Sequence, residues 1–389
     1  MNLPPVHDGH GPPAAAAPFS LRHGGPLARL VARLGPRRAP VLLVVLTWAP
    51  LLLLAAWTWR RTGRPEPGFA DWAVQIRLLV SLPLLLLADP WLGLFTARCT
   101  HSFVDGAWAP DRAGEVRALI DRATRRLEAA LPEIVLWALA LTGSQLVSGG
   151  LVEGLSMRRG HVQAGWSPFT VWYRLVSLPV YQFMVYRALW RWSIWARLLW
   201  GLSRLPLRPL AAHPDRHGGL HFLAEPSAAF ALVLLALQST QAAAWLERLT
   251  QTRASLVSLS APVAVTLLIS AALALGPLLP FVPALWRGRL EGVKEYNRLA
   301  RDYARMFRER WIEGDQREGL LGTATGDISG QTDLGTTVEV VHSMSLVPFG
   351  RRALLAVLAA TVVPIVPLAL REVPLIELVQ KVGGAALGL

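Results

Sequence analysis

The chain has one cysteine, Cys99, in 389 residues. A lone thiol excludes an internal disulfide and any zinc or iron–sulfur centre that needs several thiolates. Charged residues are also scarce, 17% against a hydrophobic share of 53%. Soluble domains carry about 25% charged residues, so this chain has too little polar surface to face water on all sides. Catalytic signatures are missing too. There is no GxxxxGK[ST] phosphate loop, no HExxH zinc helix, no GxSxG nucleophile elbow and no dinucleotide fingerprint. These absences leave no residue assigned to catalysis, metal or cofactor. No internal repeat is evident either, so the usual pointer to a transport site is lacking.

What is present points to lipid. Mean hydropathy is +0.38 and tryptophans number 16. A bilayer core of about 30 Å takes about 20 apolar helical residues. Seven stretches meet that need, at 39–59, 75–96, 133–152, 169–191, 227–246, 257–280 and 352–370. The expected fold is all-α, a polytopic membrane bundle of about seven transmembrane helices with a helical cytoplasmic layer. Pro277, Pro280 and Pro283 should bend or end the sixth span. Trp190, Trp192, Trp195 and Trp200 read as an aromatic belt closing the fourth.

The formal charge of +13 falls as Lys and Arg on alternate inter-span segments, most heavily on 281–351. That bias predicts a cytoplasmic N-terminus and an outer C-terminus, and nucleic acid is not an expected partner. Residues 1–38, rich in Pro, Ala and Gly and not shaped like a signal peptide, should be a disordered cytoplasmic tail. Residues 39–389 should form one bundle, with cytoplasmic helical segments at 111–131 and 287–345. In the first, Val116, Leu119, Ile120, Ala123, Leu127 and Leu131 recur at helical spacing. A long helix over 287–313 should pack within the protein's own cytoplasmic layer; the anionic leaflet and a second copy of the chain are the alternatives.

Metal-competent groups concentrate in HPDRHGGLH, residues 213–221. His213, Asp215, His217 and His221 could ligate or contact a partner, and Gly218 and Gly219 would let the chain fold back. Pro-Asp and Gly-Gly are also ordinary turn chemistry, and a structural turn is the leading reading. In GDISGQTDLG, residues 326–335, the polar groups are Asp327, Ser329 and Asp333; just beyond, Thr336 and Glu339 match a helix-opening capping box. Within the spans, Asp89 and Arg187 fall at similar depth, and a charge in hydrocarbon needs a partner. An Asp89–Arg187 pair is one expectation; a snorkelling Arg187 beside an Asp89 that caps a kink at Pro90 is the other. Arg174 and Arg191 lie close enough to span ends to snorkel. Gln238 and Gln241 suit interhelical hydrogen bonding more than a polar path.

The HPDRHGGLHFL stretch, the GDISGQTDLG stretch and VPIVPLALREVPLIELV near the end together resemble a group of uncharacterised bacterial multi-pass membrane proteins, over most of residues 75–385. Those proteins have an HPDxxGGLxFL-like loop, matched by His213, Pro214, Asp215, Gly218, Gly219 and Leu220. Their DIxSxxDL-like loop is matched by Asp327, Ile328, Ser329, Asp333 and Leu334. The resemblance implies a bacterial inner-membrane location and no activity.

The expected function is a non-enzymatic scaffold, sensor or transport-related component with a cytoplasmic binding face. The alternative is an enzyme using the His/Asp groups of 213–221 at the inner face. Expected partners are the lipid bilayer and a cytoplasmic protein or anionic small molecule, with self-association open.

Overall fold

The computed structural model describes residues 19–21, 38–105, 108–148, 167–252, 256–313 and 325–372. Among them there is no strand, and the fold is an all-α bundle. Its elements are α1 (Arg38–Thr62), α2 (Trp72–Asp105), α3 (Ala113–Glu128), α4 (Ala130–Ser148), α5 (168–203), α6 (Glu225–Thr252), α7 (Ser260–Leu275), α8 (Val282–Arg308), α9 (Thr325–His342), α10 (Arg351–Val362) and α11 (Val366–Glu372).

Five helices are long and apolar enough to cross a membrane, or six if α3 and α4, bent by 46° at their junction, count as one. That is fewer than the seven expected. The fourth expected span does exist as the continuous helix α5, but Arg174, Arg187 and Arg191 interrupt its apolar run. Two of them point inward rather than to lipid, as described below. The prolines at 277, 280 and 283 do not end the sixth span. Pro277 and Pro280 tighten Gly276–Phe281 into a 3₁₀ turn and Pro283 sits in the first turn of α8, and Val257–Arg308 continues as one helical run of 52 residues. At about 1.5 Å per residue that run far exceeds a bilayer core of about 30 Å, so α8 projects as an arm. On it α9 packs antiparallel: Gly330 lies against Tyr303, and Val341 against Gly292.

Aromatic packing fills the centre. Trp192 stacks on Phe230 of α6 at 4.1 Å, and Trp137 of α4 stacks on Phe183 of α5 at 4.8 Å. Trp192 and Trp195 are therefore core residues, not part of an interfacial belt. The amphipathic α3 buries Val116, Ala123 and Leu127 as its spacing predicts, and Leu119 seats over Gly201 of α5. Leu131, beyond the break, is exposed.

A repeat hidden in the sequence becomes plain in the fold. Asp71 caps the start of α2 by accepting from Ala73 N, and Ser167 caps α5 by accepting from Thr170 N. Each helix then makes five α residues, a five-residue π turn and a long α run. The π turns are Arg77–Ser81 and Tyr173–Ser177, their first residues 96 positions apart. Both belong to the string Leu-Val-Ser-Leu-Pro, at 79–83 and 175–179. The cause is the proline, which lacks an N–H and crowds the carbonyl four residues earlier. The turn ahead of it widens, so that Leu82 N–H reaches Arg77 O and Leu178 N–H reaches Tyr173 O, the i→i+5 pattern of a π turn.

The expected tail needs a correction at three residues. Phe19, Ser20 and Leu21 are buried in the groove between α2 and α5. Ser20 Oγ donates to Gly93 O at 2.9 Å, Leu21 N donates to Thr96 Oγ1 at 3.2 Å, and Phe19 stacks on Trp195 at 6.0 Å. Two apolar side chains and satisfied backbone groups outweigh the ordering of three residues. The rest of 1–37 lies outside the described residues.

Candidate functional site

Two places carry the candidate residues, one in a turn and one inside the bundle. The turn is 213–221, between α5 and α6. Asp215 organises it. Its Oδ1 accepts from His217 N at 2.8 Å and Gly219 N at 3.0 Å, and its Oδ2 from His221 N at 3.2 Å. His213 Nδ1 lies 2.9 Å from Oδ1. Burial alone would raise the Asp215 carboxyl above its ordinary range. The three backbone N–H groups and His213 outweigh it and hold the carboxyl below that range.

Arg216, Gly218 and Gly219 all take positive φ, at 57°, 65° and 82°. The chain thereby doubles back, and the strap after α9 closes over it. Ser345 N donates to Arg216 O at 2.7 Å, and His217 Nδ1 sits 2.9 Å from Val347 O. The His217 and His221 rings stack at 4.7 Å beside Gly350. With Trp108, from between α2 and α3, against Gly219, the arrangement is a clasp joining three inter-helix segments. Asp215, His213 and His217 are engaged within the clasp, whereas His221 Nδ1 is buried without a hydrogen-bond partner among the described residues. No group of three side chains placed to hold a metal ion occurs among the described residues.

A carboxylate whose folded pKa is depressed stabilises the fold above its unfolded value. That contribution is lost as pH falls through the folded value. Asp215→Asn is therefore expected to flatten the fall in melting temperature between about pH 5 and pH 2. An acid limb identical to that of the unchanged protein would remove Asp215 from this role.

The clasp meets residues 345–350. Asp327, Ser329 and Asp333 lie on α9, where the resemblance implied a loop, and Ser329 and Asp333 are exposed. The Asp327 side chain is outside the described residues. The capping box also fails, because α9 starts eleven residues before Thr336. Thr336 is mid-helix and its hydroxyl donates back to Thr332 O at 3.1 Å, a pattern that competes with ladder bonding.

Inside the bundle, Asp89 and Arg187 are joined by an ion pair. The pair is half of a larger network. Arg187 Nε also donates to Glu133 Oε1 of α4 at 3.1 Å. Arg191 lies 3.4 Å from Asp89 Oδ2 and 3.8 Å from Glu133 Oε1, and its Nη1 donates to Leu21 O at 2.7 Å. Arg191 is 4% exposed and Arg187 2%, so Arg191 does not snorkel as expected. Two acids and two bases from three helices cancel to zero net charge, with Glu133, Arg187 and Arg191 buried and Asp89 partly exposed. Glu133 and Arg191 were the members missed. The legible signal was the i, i+4 spacing of Arg187 and Arg191, which puts both on one face of α5. Gln238 donates to Ser270 Oγ of α7 at 3.0 Å, an interhelical bond of the kind expected.

No protein-family model matches the chain, and no solved structure matches it. The charge network and the clasp therefore stand on their own geometry.

Proposed function

We propose that this protein is a multi-pass component of the bacterial inner membrane, N-terminus cytoplasmic and C-terminus outside, that takes part in proton-linked transport. One observation carries the reading: Arg187 is shared between two carboxylates on different helices, Asp89 on α2 and Glu133 on α4. A buried charge network is seldom the most stable way to fill a core, since apolar residues of similar size often serve as well or better. Its retention within a bundle favours a working role. Protonating one carboxylate would release Arg187 to the other, which makes the network a two-state element. Asp89 suits the part, with its side chain 23% exposed and Pro90 next to it loosening the ladder of α2.

Orientation rests on the basic residues, which crowd the segments on the clasp side of the bundle. On this reading the clasp and the α8–α9 arm face the cytoplasm and offer the binding face for a protein or small anion. The enzymatic alternative gains little from the clasp, where Asp215, His213 and His217 are bonded within the clasp itself and His221 Nδ1 is buried.

The test is proton flux in vesicles. Purified protein in liposomes holding a pH-sensitive dye should collapse an imposed proton gradient at least tenfold faster than empty liposomes. Asp89→Asn should return the rate to that of empty liposomes. Protein-loaded and empty vesicles that behave alike at either polarity would sink the reading.

A further inference from the structure

We propose that the paired openings of α2 and α5 form a binding site for a phosphate-type oxyanion, with Arg77 as its charge. This goes beyond the transport reading and does not depend on it. The site lies near the start of both helices, at the opposite end of the bundle from the clasp.

The first residues of the two π turns meet there: Arg77 Nη1 donates to the Tyr173 hydroxyl. From below, the Tyr181 ring holds the guanidinium at 5.5 Å, a cation–π contact that fixes its plane. Tyr181 is itself anchored, because its hydroxyl lies 3.0 Å from Thr240 Oγ1, which lies 2.8 Å from Ser81 Oγ. The arginine is therefore positioned by residues of both repeats and of α6.

Its donors are not all used. Among the described residues, Arg77 Nε is buried with no hydrogen-bond partner, and so is Trp172 Nε1 one residue before Tyr173. Tyr173 accepts from Arg77 and has no acceptor for its own proton among the described residues. No carboxylate there lies within ion-pair distance of Arg77. Asp71 acts on it through space while its Oδ1 is engaged at Ala73 N at 2.7 Å. A buried donor without an acceptor is costly, and here a full positive charge and three donors lack an acceptor among the described residues. An oxyanion supplies what is missing. Arginine is suited to it, since its planar fork matches phosphate geometry.

Free phosphate and the phosphate head group of a lipid share this chemistry, and the experiment separates them. Protein stripped of lipid in an uncharged detergent is titrated with inorganic phosphate by calorimetry. In parallel, phosphatidylglycerol is added and retained lipid is counted by native mass spectrometry. Binding in either arm that falls at least tenfold in Arg77→Gln and is partly kept in Arg77→Lys supports the site. Signal in the first arm identifies a free oxyanion, and signal in the second alone identifies a head group. Tyr173→Phe, which removes one hydroxyl and leaves the packing, should weaken binding about threefold, and it decides the matter if Arg77→Gln does not fold. Binding that is absent in both arms, or unchanged in both variants, overturns the proposal. Because the readout is binding, its failure is distinct from a failure of proton flux.

Discussion

Arg187→Met is expected to destabilise the protein by about 3–5 kcal/mol, the usual result of leaving buried charges without their partner. The side chain is matched in length, so packing changes little while Asp89 and Glu133 lose their shared cation. The informative comparison is Asp89→Leu/Arg187→Leu, which removes one acid and one base together. Glu133 then keeps Arg191, 3.8 Å away, and the double variant should be more stable than the single one despite carrying one more change. Denaturant titration in detergent gives both values. A single variant that costs under about 1 kcal/mol would mean the charges are solvated and the network is incidental.

Gly219→Ala should be the most damaging small change in the clasp. Its φ of +82° is one that L side chains avoid, and a Cβ there would lie 2.1 Å from Cη2 of Trp108. The conformational part costs about 1–2 kcal/mol and the overpacking about 1–3 kcal/mol. A loss of about 2–5 kcal/mol is thus expected. Gly63 supplies the control, with φ +67° and nothing within 4 Å of its Cβ position. Gly63→Ala should show the conformational part alone. Trp108→Ala in the Gly219→Ala background should recover some of the steric part. Equal losses at positions 63 and 219 would show that Trp108 does not pack as described.

These two sites also mark how far the sequence could be read. The helices and most apolar runs were legible, because lipid-facing composition is a strong and local signal. Asp89 and Arg187 could be matched because depth in a helix is counted residue by residue. Glu133 could not, since it sits at the bend between α3 and α4, and the angle of that bend has no local sequence mark. Arg191 lies one turn from Arg187 and was placed near the surface only because its helix was expected to end sooner. The duplicated lead-ins were hidden for a different reason. Five identical residues mean little in a leucine-rich chain, and the π turn that gives them weight follows from Pro83 and Pro179. The same four letters recur at Leu256–Leu259, but as a 3₁₀ turn. No proline follows directly there, so the wider turn is not forced. The turn chemistry of the clasp was legible in Pro-Asp and Gly-Gly, yet its contact with 345–350 was not foreseeable, since the first half of α9 had been expected as a loop.

The docking of Phe19–Leu21 bears on how the molecule is made. Leu21 and the arginine that holds its carbonyl are separated by 170 residues. Synthesis at about 5–20 residues per second puts roughly 10–35 s between them. During that interval the tripeptide has no groove, because α5 does not yet exist, and Arg191 cannot neutralise Asp89. A segment made early thus waits for a partner made well after it. Its docking requires α2 and α5 side by side, so it reports on that one pairing.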